Sequence, residues 1–182
     1  MSQIFRKGRH PDGSPIAAYD TYRPWSWHKS GGGDWSNYPT YSGRILDLKN
    51  RKPVGIAYFR DKLDPDLGTG FAIAVVPSHD PEKTVSGLTQ LARALCDQGD
   101  RIDASGCLVR HTKIAKLAAG GDRSLTVHLK SIRVENARLI KGRSVLLLDD
   151  VTTSGHSLLA CRRLLLDAGA ADVDCVALGQ TG

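Results

Sequence analysis

Hydrophobic positions along the chain change character near residue 71. From there on, short apolar runs alternate with stretches of helical spacing. FAIAVV, beginning at Phe71, is continuous and apolar and is stopped by Pro77, the form expected of a parallel strand covered on both faces. Val85, Leu88, Leu91, Ala92 and Leu95 then recur at helical spacing, which predicts a helix starting near Thr84 and closed by Gly99 in a left-handed position. A short strand is expected around Cys107 to Val109, and Gly120–Gly121 break any long helix in the segment that follows. Ser144 to Leu148 reads as a second buried strand, Ser157 to Ala168 as a helix ended by Gly169, and Val173 to Leu178 as a further strand. Strands and helices taken in turn imply parallel crossovers, so the expected class is α/β, a parallel sheet with helices on both faces.

Upstream the pattern is weaker. Tyr41 to Leu48 and Val54 to Phe59 read as extended segments joined by the polar KNRKP, which predicts a hairpin. Before them, Tyr19, Tyr22, Trp25, Trp27, Trp35, Tyr38 and Tyr41 supply seven of the chain's eleven aromatics, interleaved with Gly31, Gly32 and Gly33. The division expected is therefore an irregular aromatic segment, 1–43, and a main domain, 44–182.

Composition narrows the class. A chain of 182 residues suits one domain with a sizeable core, and 41% hydrophobic with 24% charged residues is ordinary for a globular protein. No apolar run reaches the ~20 residues that span a bilayer, and the first thirty lack a signal-like apolar core, so a cytoplasmic location is expected. Cys96, Cys107, Cys161 and Cys175 lie far apart with no CxxC, which points to buried small hydrophobes rather than zinc or disulfides. The six histidines show no metal-site spacing. The net charge is +6, and the stretch 101–143 holds ten Lys or Arg against three acids, enough to account for the whole excess. Such a run fits an anionic partner or a solvated face equally well.

One stretch carries chemistry. VLLLDDVTTSGHS, Val145 to Ser157, drives a buried strand into two carboxylates and then into a hydroxyl-rich turn before a helix. Beyond the carboxyl end of a parallel strand, the helix that follows offers free backbone N–H groups and the positive end of its dipole. Thr152, Thr153, Ser154, Gly155, His156 and Ser157 can cradle a phosphate there, and Asp149 and Asp150 can accept hydrogen bonds from vicinal hydroxyls. A phosphate beside a diol describes a ribose 5-phosphate. Singly, an Asp pair is often a turn or cap and TTSG a common loop; in this order, between strand and helix, they are far more specific. Neither GxxxxGK[ST] nor a strand-leading GxGxxG occurs.

This run resembles the phosphoribosyl pyrophosphate (PRPP) signature of type I phosphoribosyltransferases and, among these, is most similar to the ComF-type, competence-associated proteins, over roughly residues 71 to 181. The resemblance implies that Asp149 and Asp150 hold the ribose 2- and 3-hydroxyls and that 152–157 hold the 5-phosphate. It implies a pyrophosphate loop in VVPSHDPEK, with Ser78, His79 and Lys83 as ligands. It further implies a flexible loop over the pyrophosphate within the basic segment, with Thr112 beside Arg110, Lys113, Lys116 and Arg123, which supply positive charge. Counted from Thr112, Arg123 keeps the ComF-type spacing, whereas Ala115 and Thr126 replace a glutamine and an asparagine. The amino-terminal zinc ribbon common in that group is missing, and the aromatic stretch stands in its place.

The activity so implied is Mg²⁺-dependent transfer of a phosphoribosyl group from PRPP to a nitrogenous base or amine, Asp149, Asp150, Lys113, Lys116 and Arg123 forming the catalytic set and no metal ligand coming directly from the protein. Two other readings stay open: a regulator that binds PRPP without turnover, and an accessory protein of DNA uptake whose 101–143 segment and aromatics contact nucleic acid. An oligomer is compatible with either. The aromatic segment is expected to supply the hood over the acceptor, or else to pack a satellite core or a subunit contact.

Overall fold

A computed structural model of the chain describes residues 4–5, 16–114 and 124–181. In chain order the elements are β1 (Ile16–Ala18), α1 (Trp25–Ser30), α2 (Thr40–Lys49), α3 (Pro53–Leu63), β2 (Ala72–Val75), α4 (Gly87–Gln98), β3 (Ile102–Asp103) and β4 (Leu108–Arg110). They continue as α5 (Leu125–Ser131), β5 (Ile132–Val134), β6 (Ser144–Thr152), α6 (His156–Asp167) and β7 (Asp172–Gln180). Five of these strands form a parallel sheet in the order β1-β7-β6-β2-β3, while β4 and β5 pair antiparallel as a separate ribbon. The expected α/β class, a parallel sheet flanked by helices, is the one observed.

Alternation along the strands builds two cores. Ile73, Val75, Leu146, Leu148, Val176 and Leu178 face Ile45 and Leu48 of α2, Phe59 and Leu63 of α3, and Leu91 and Leu95 of α4. Ala72, Ala74, Val145, Leu147, Val173, Cys175 and Ala177 face the other way, against Leu158, Cys161 and Leu165 of α6 and Ile132 of β5. A strand covered on both faces needs no polar side, which is why these runs are continuously apolar. Three of the four cysteines are buried and all four are free, as their spacing suggested.

Topology then decides where a ligand can enter. From β2 the chain crosses through α4 to β3 on one flank, and from β6 it crosses through α6 to β7 on the other. The strand order therefore reverses between β2 and β6, and the two helices leave on opposite faces, opening a crevice at the carboxyl ends of this pair.

The amino-terminal half differs from expectation. The predicted hairpin at 41–59 is two helices, α2 and α3, joined through Asn50 to Lys52. Ser42, Ile45 and Leu48 are its buried stripe, spaced by three, and Pro53 occupies the first position of α3, where a missing N–H costs nothing. The boundary expected between 43 and 44 falls inside α2, and β1, from the supposedly irregular segment, pairs with β7 at the sheet edge. Trp25 and Trp35 stack at 3.6 Å and 8°, with Tyr38 edge-on to both, so these rings form a satellite cluster. Tyr22 instead enters the main core.

Two helix limits also move. α4 begins at Gly87, three residues later than expected, because Ser86 and Thr89 close a capping box there. Gly99 is extended, φ −146°, and not left-handed, whereas Gly169 after α6 is left-handed at φ 97°. No helix among the described residues is long and apolar enough to cross a membrane.

Close approach of α2 to α4 rests on Gly87, where a Cβ would overlap the backbone carbonyl of Leu48. Gly43, inside α2, meets only a Tyr38 ring carbon at 3.9 Å. Helix propensity favours alanine at both sites, so packing decides the sign. Gly43→Ala is expected to raise unfolding free energy by about 0.5–1 kcal/mol, and Gly87→Ala to lower it by about 1–3 kcal/mol, both read from urea denaturation.

Candidate functional site

The predicted strand at 144–148 runs four residues further than its apolar part. Hydrogen-bonded register with β7 continues through Asp149↔Ala177 and Val151↔Gly179 to Thr152↔Gln180, so both aspartates belong to the strand and not to the turn after it. Successive side chains of a strand point to opposite faces. Asp149 follows Val145 and Leu147 toward α6, where Ser157 Oγ donates to its Oδ2 at 3.1 Å and the amide of Asp150 donates to its Oδ1 at 2.8 Å. Asp150 follows Leu146 and Leu148 toward α2, where Lys49 Nζ lies 3.5 Å from its Oδ1. The two carboxylates expected to act side by side are thus sent to opposite sides of the sheet.

Their surroundings differ accordingly. Asp149 is 8% exposed; burial first, then the charge of Asp150, pushes its carboxyl up to about 7, against the lowering effect of its two hydrogen bonds and of Lys49. Asp150 keeps 30% of its side chain exposed and shares Lys49 with the Tyr22 ring, over which the ammonium sits at 5.2 Å.

Both acids open on one cavity of about 970 Å³. It brings together Asp149, Asp150, Thr152 to Ser157, and Ser78, His79 and Lys83 from the loop after β2, but not Arg110, Thr112 or Lys113 of the basic segment. At its α6 side, Gly155 is the residue before the helix and takes φ 74°, a conformation that glycine adopts without steric cost. No side chain caps α6, in contrast to the closed capping box of α4. Beside it, the Thr152 hydroxyl is buried with no hydrogen-bond partner. An uncapped helix start next to an unsatisfied hydroxyl is suited to an anion.

Residues 87–180 match the family model described as the phosphoribosyl transferase domain. The chain belongs to that family. Among solved structures, this phosphoribosyl transferase domain is similar to a hypoxanthine phosphoribosyltransferase from Staphylococcus aureus, at 12% identity and a TM-score of 0.40 over 75% of this chain and 64% of the other. It is also similar to a purine phosphoribosyltransferase from Pyrococcus horikoshii, at 15% identity and TM-score 0.37 over 88% and 77% of the two chains. A third is the phosphoribosylpyrophosphate synthetase of Mycobacterium smegmatis, at 16% identity and TM-score 0.37, which covers 97% of this chain and 49% of that one. The chain thus spans less than two thirds of the first of these proteins. No curated protein matches it.

The basic segment of this phosphoribosyl transferase domain divides into parts with different duties. Lys116 and Arg123 lie outside the described residues. Arg110, expected as a mobile cation, is buried: its guanidinium donates to the Ser78 carbonyl and to Ser131 Oγ, and approaches His128 Nδ1 at 3.4 Å. It therefore fastens the loop after β2 to the β4–β5 ribbon. Lys113 does not line the cavity; its ammonium is 3.3 Å from Asp80, whose carboxyl is held below its ordinary range first by the Glu82 amide and also by Lys113. The Ile114 amide donates to the His79 carbonyl at 3.2 Å, a third tie between the same two segments. Arg101 is buried against Asp64 and three backbone carbonyls. Two of the ten cations counted as a possible nucleic-acid face are thus internal.

Sequence reasoning missed one wall. Leu48, Lys49, Asn50 and Arg51, the end of α2 and its turn, line the cavity, as does His128 of α5. None of Trp25, Trp27, Trp35 or Tyr38 does, so the rings expected to form a hood stand away from it. The signal was present in KNR, a basic triplet, but a hairpin reading gave it only a turn to make.

Because the folded state holds the Asp149 proton more tightly than an unfolded chain, whose carboxyl titrates near its ordinary 3.8, stability falls as pH rises from about 4 to about 7. Asparagine can keep both hydrogen bonds without the charge. Asp149→Asn is therefore expected to match the wild-type Tm near pH 4, to exceed it above pH 7, and to flatten the profile between; a thermal melt series over pH 4–8 checks this.

Proposed function

We propose that the chain is a phosphoribosyltransferase that binds PRPP at the junction of β6 and α6 and transfers its phosphoribosyl group to a nitrogenous acceptor with release of pyrophosphate. The observation that carries the reading is the uncapped start of α6 beside the unpartnered Thr152 hydroxyl, in one cavity with Asp149 and Asp150. Membership of the family supports the general activity. The ComF-type resemblance of the Asp149 to Ser157 run supports placing the chain near that group.

The amides at the start of α6, with Thr152, Thr153, Ser154 and Ser157, would hold the 5-phosphate. Asp150, partly exposed and opening on the cavity, would accept from the ribose hydroxyls, while Asp149 orders the start of α6 through Ser157. When the bond from C1 to the pyrophosphate oxygen breaks, its electron pair leaves with pyrophosphate and C1 gains positive character until the acceptor nitrogen bonds to it. The acceptor nitrogen then sheds its proton to solvent. Asp150 would stabilise the positive ring, and Lys83, His79 and the cations of the 113–123 segment the departing anion. The ties from Arg110, Lys113 and Ile114 to residues 78–80 hold the loop that lines the cavity against β4 and the residues just after it.

Mg²⁺ is part of the proposal. A hard carboxylate facing a roomy cavity fits an ion that keeps most of its waters, and Asp150 would hold it through them. When bound it would neutralise charge on the pyrophosphate. No group of three His, Cys, Asp or Glu side chains among the described residues converges as a separate metal site.

Ala115 and Thr126, which depart from the ComF-type pattern, favour a second reading in which PRPP binds without turnover. Calorimetry with PRPP and Mg²⁺ should give micromolar to submillimolar binding, and Asp150→Asn should weaken it by about tenfold or more. Pyrophosphate release with a panel of bases and amines then separates an enzyme from a sensor. Absence of heat at millimolar PRPP would sink both.

A further inference from the structure

Arg51 stands out on the missed wall. It takes φ 58°, a left-handed conformation that residues with a β-carbon rarely adopt, while its neighbour Asn50, a residue type that tolerates this conformation far better, keeps an ordinary φ of −86°. An α-helix that ends in a left-handed residue normally puts glycine or asparagine there. The turn is nonetheless firmly held: the Arg51 amide donates to the Leu48 carbonyl and the Lys52 amide to the Asp47 carbonyl, each at 2.8 Å. Asp47 in turn pairs with Arg44 and Lys52 at 3.1 and 3.0 Å. Backbone strain kept in place this way, at the rim of a cavity, is characteristic of ligand clamps.

The side chain has work to do there. Arg51 lines the cavity, and among the described residues its guanidinium has no ionic partner, unlike Lys49, which is matched to Asp150. α2 packs on the sheet face of Ile73 and Val75, and α6 on the opposite face. Arg51 therefore approaches from the side away from the α6 anion cup, with the Asp149–Asp150 step between them.

We propose that Asn50 and Arg51 form a second anion subsite of this cavity, one that takes an anionic group of the ligand other than the 5-phosphate. It rests on the function proposed above. The chemistry is a pair of oxygens on one centre, a phosphate or a carboxylate, gripped by the guanidinium through parallel N–H bonds with the Asn50 amide beside it. The group comes either from the pyrophosphate of PRPP or from a carboxylate on the acceptor.

The test is Arg51→Gly, which relieves the backbone while removing the guanidinium. Its Tm should rise by about 2 °C. Calorimetry with Mg²⁺ then compares ribose 5-phosphate, PRPP, and nicotinate added to protein saturated with ribose 5-phosphate. Ribose 5-phosphate should bind wild type and variant alike. A loss of about tenfold or more on PRPP assigns the subsite to pyrophosphate, and the same loss on nicotinate alone assigns it to an acceptor carboxylate. The proposal falls if neither affinity depends on Arg51, if ribose 5-phosphate weakens in step, or if the variant melts well below wild type, which would make the residue structural. No binding of ribose 5-phosphate or PRPP to the wild type would remove the underlying reading, and the subsite with it.

Discussion

The register of β6 against β7 is the constraint on which the site depends. Pairing carries on from Leu148↔Val176 through Asp149↔Ala177 to Thr152↔Gln180, so the backbone stays extended under two charged side chains. An extended backbone cannot aim neighbours in one direction. One carboxylate is therefore delivered to the start of α6 and the other to the end of α2, and the cavity is divided into an α6 side and an α2 side by the strand itself. Had the strand stopped at Leu148, a turn could have gathered both acids on one side, and Lys49 would have no counter-ion.

That division explains which parts of the architecture could be read in advance. The core strands announced themselves because burial on both faces demands unbroken apolar runs, and FAIAVV and VLLL supply them. The residues of the α6 cup were legible because strand, acids, hydroxyls and glycine follow one another within thirteen positions, and local geometry alone brings them together. The orientation of the acids was not legible, since it follows from pairing with β7, a partner more than twenty residues away. α2 and α3 were misread for a related reason. Their buried faces are narrow, Ser42, Ile45 and Leu48 on the first and Gly55, Phe59 and Leu63 on the second; much of α2 is polar, and α3 leaves apolar Val54 exposed. A stripe of that width resembles alternation over a few residues, and the tight packing of Leu48 under Gly87 that holds α2 in place leaves no trace in periodicity.

The basic segment shows that charge counts mislead in the opposite way. Arg101 and Arg110 contribute to a local excess that suggests a surface, yet both are interior, Arg101 satisfied mainly by carbonyl oxygens and Arg110 by the Ser78 carbonyl, Ser131 Oγ and His128. Arginine suits this role because several donors on a rigid plane can gather separate backbone acceptors at once. The acceptors of Arg110 belong to different elements, the Ser78 carbonyl after β2 and Ser131 Oγ at the end of α5, so one buried cation couples the loop that lines the cavity to the β4–β5 ribbon and α5.

Departures from what folding alone would choose gather around the cavity. Asp149 is a carboxylate where burial resists ionisation, Thr152 holds a hydroxyl with nothing to bond, α6 starts without a cap, and Arg51 sits in a conformation better suited to the asparagine before it. Some elements follow the local rules closely: α4 has its capping box, α3 its leading proline, and the chain after α6 its left-handed glycine, although α1, α2, α3 and α5 start without a side-chain cap as α6 does. Under the proposed function, the costs of the first three departures would be offset by one event, an anionic sugar entering with its counter-ion, while the Arg51 backbone would stay strained and present its guanidinium to the same ligand. On that reading a phosphate would satisfy the hydroxyl and the bare helix start, cationic charge would favour the ionised acid, and an oxygen pair would give the guanidinium its partner. Costs that share one remedy are how a fold stores selectivity for a ligand.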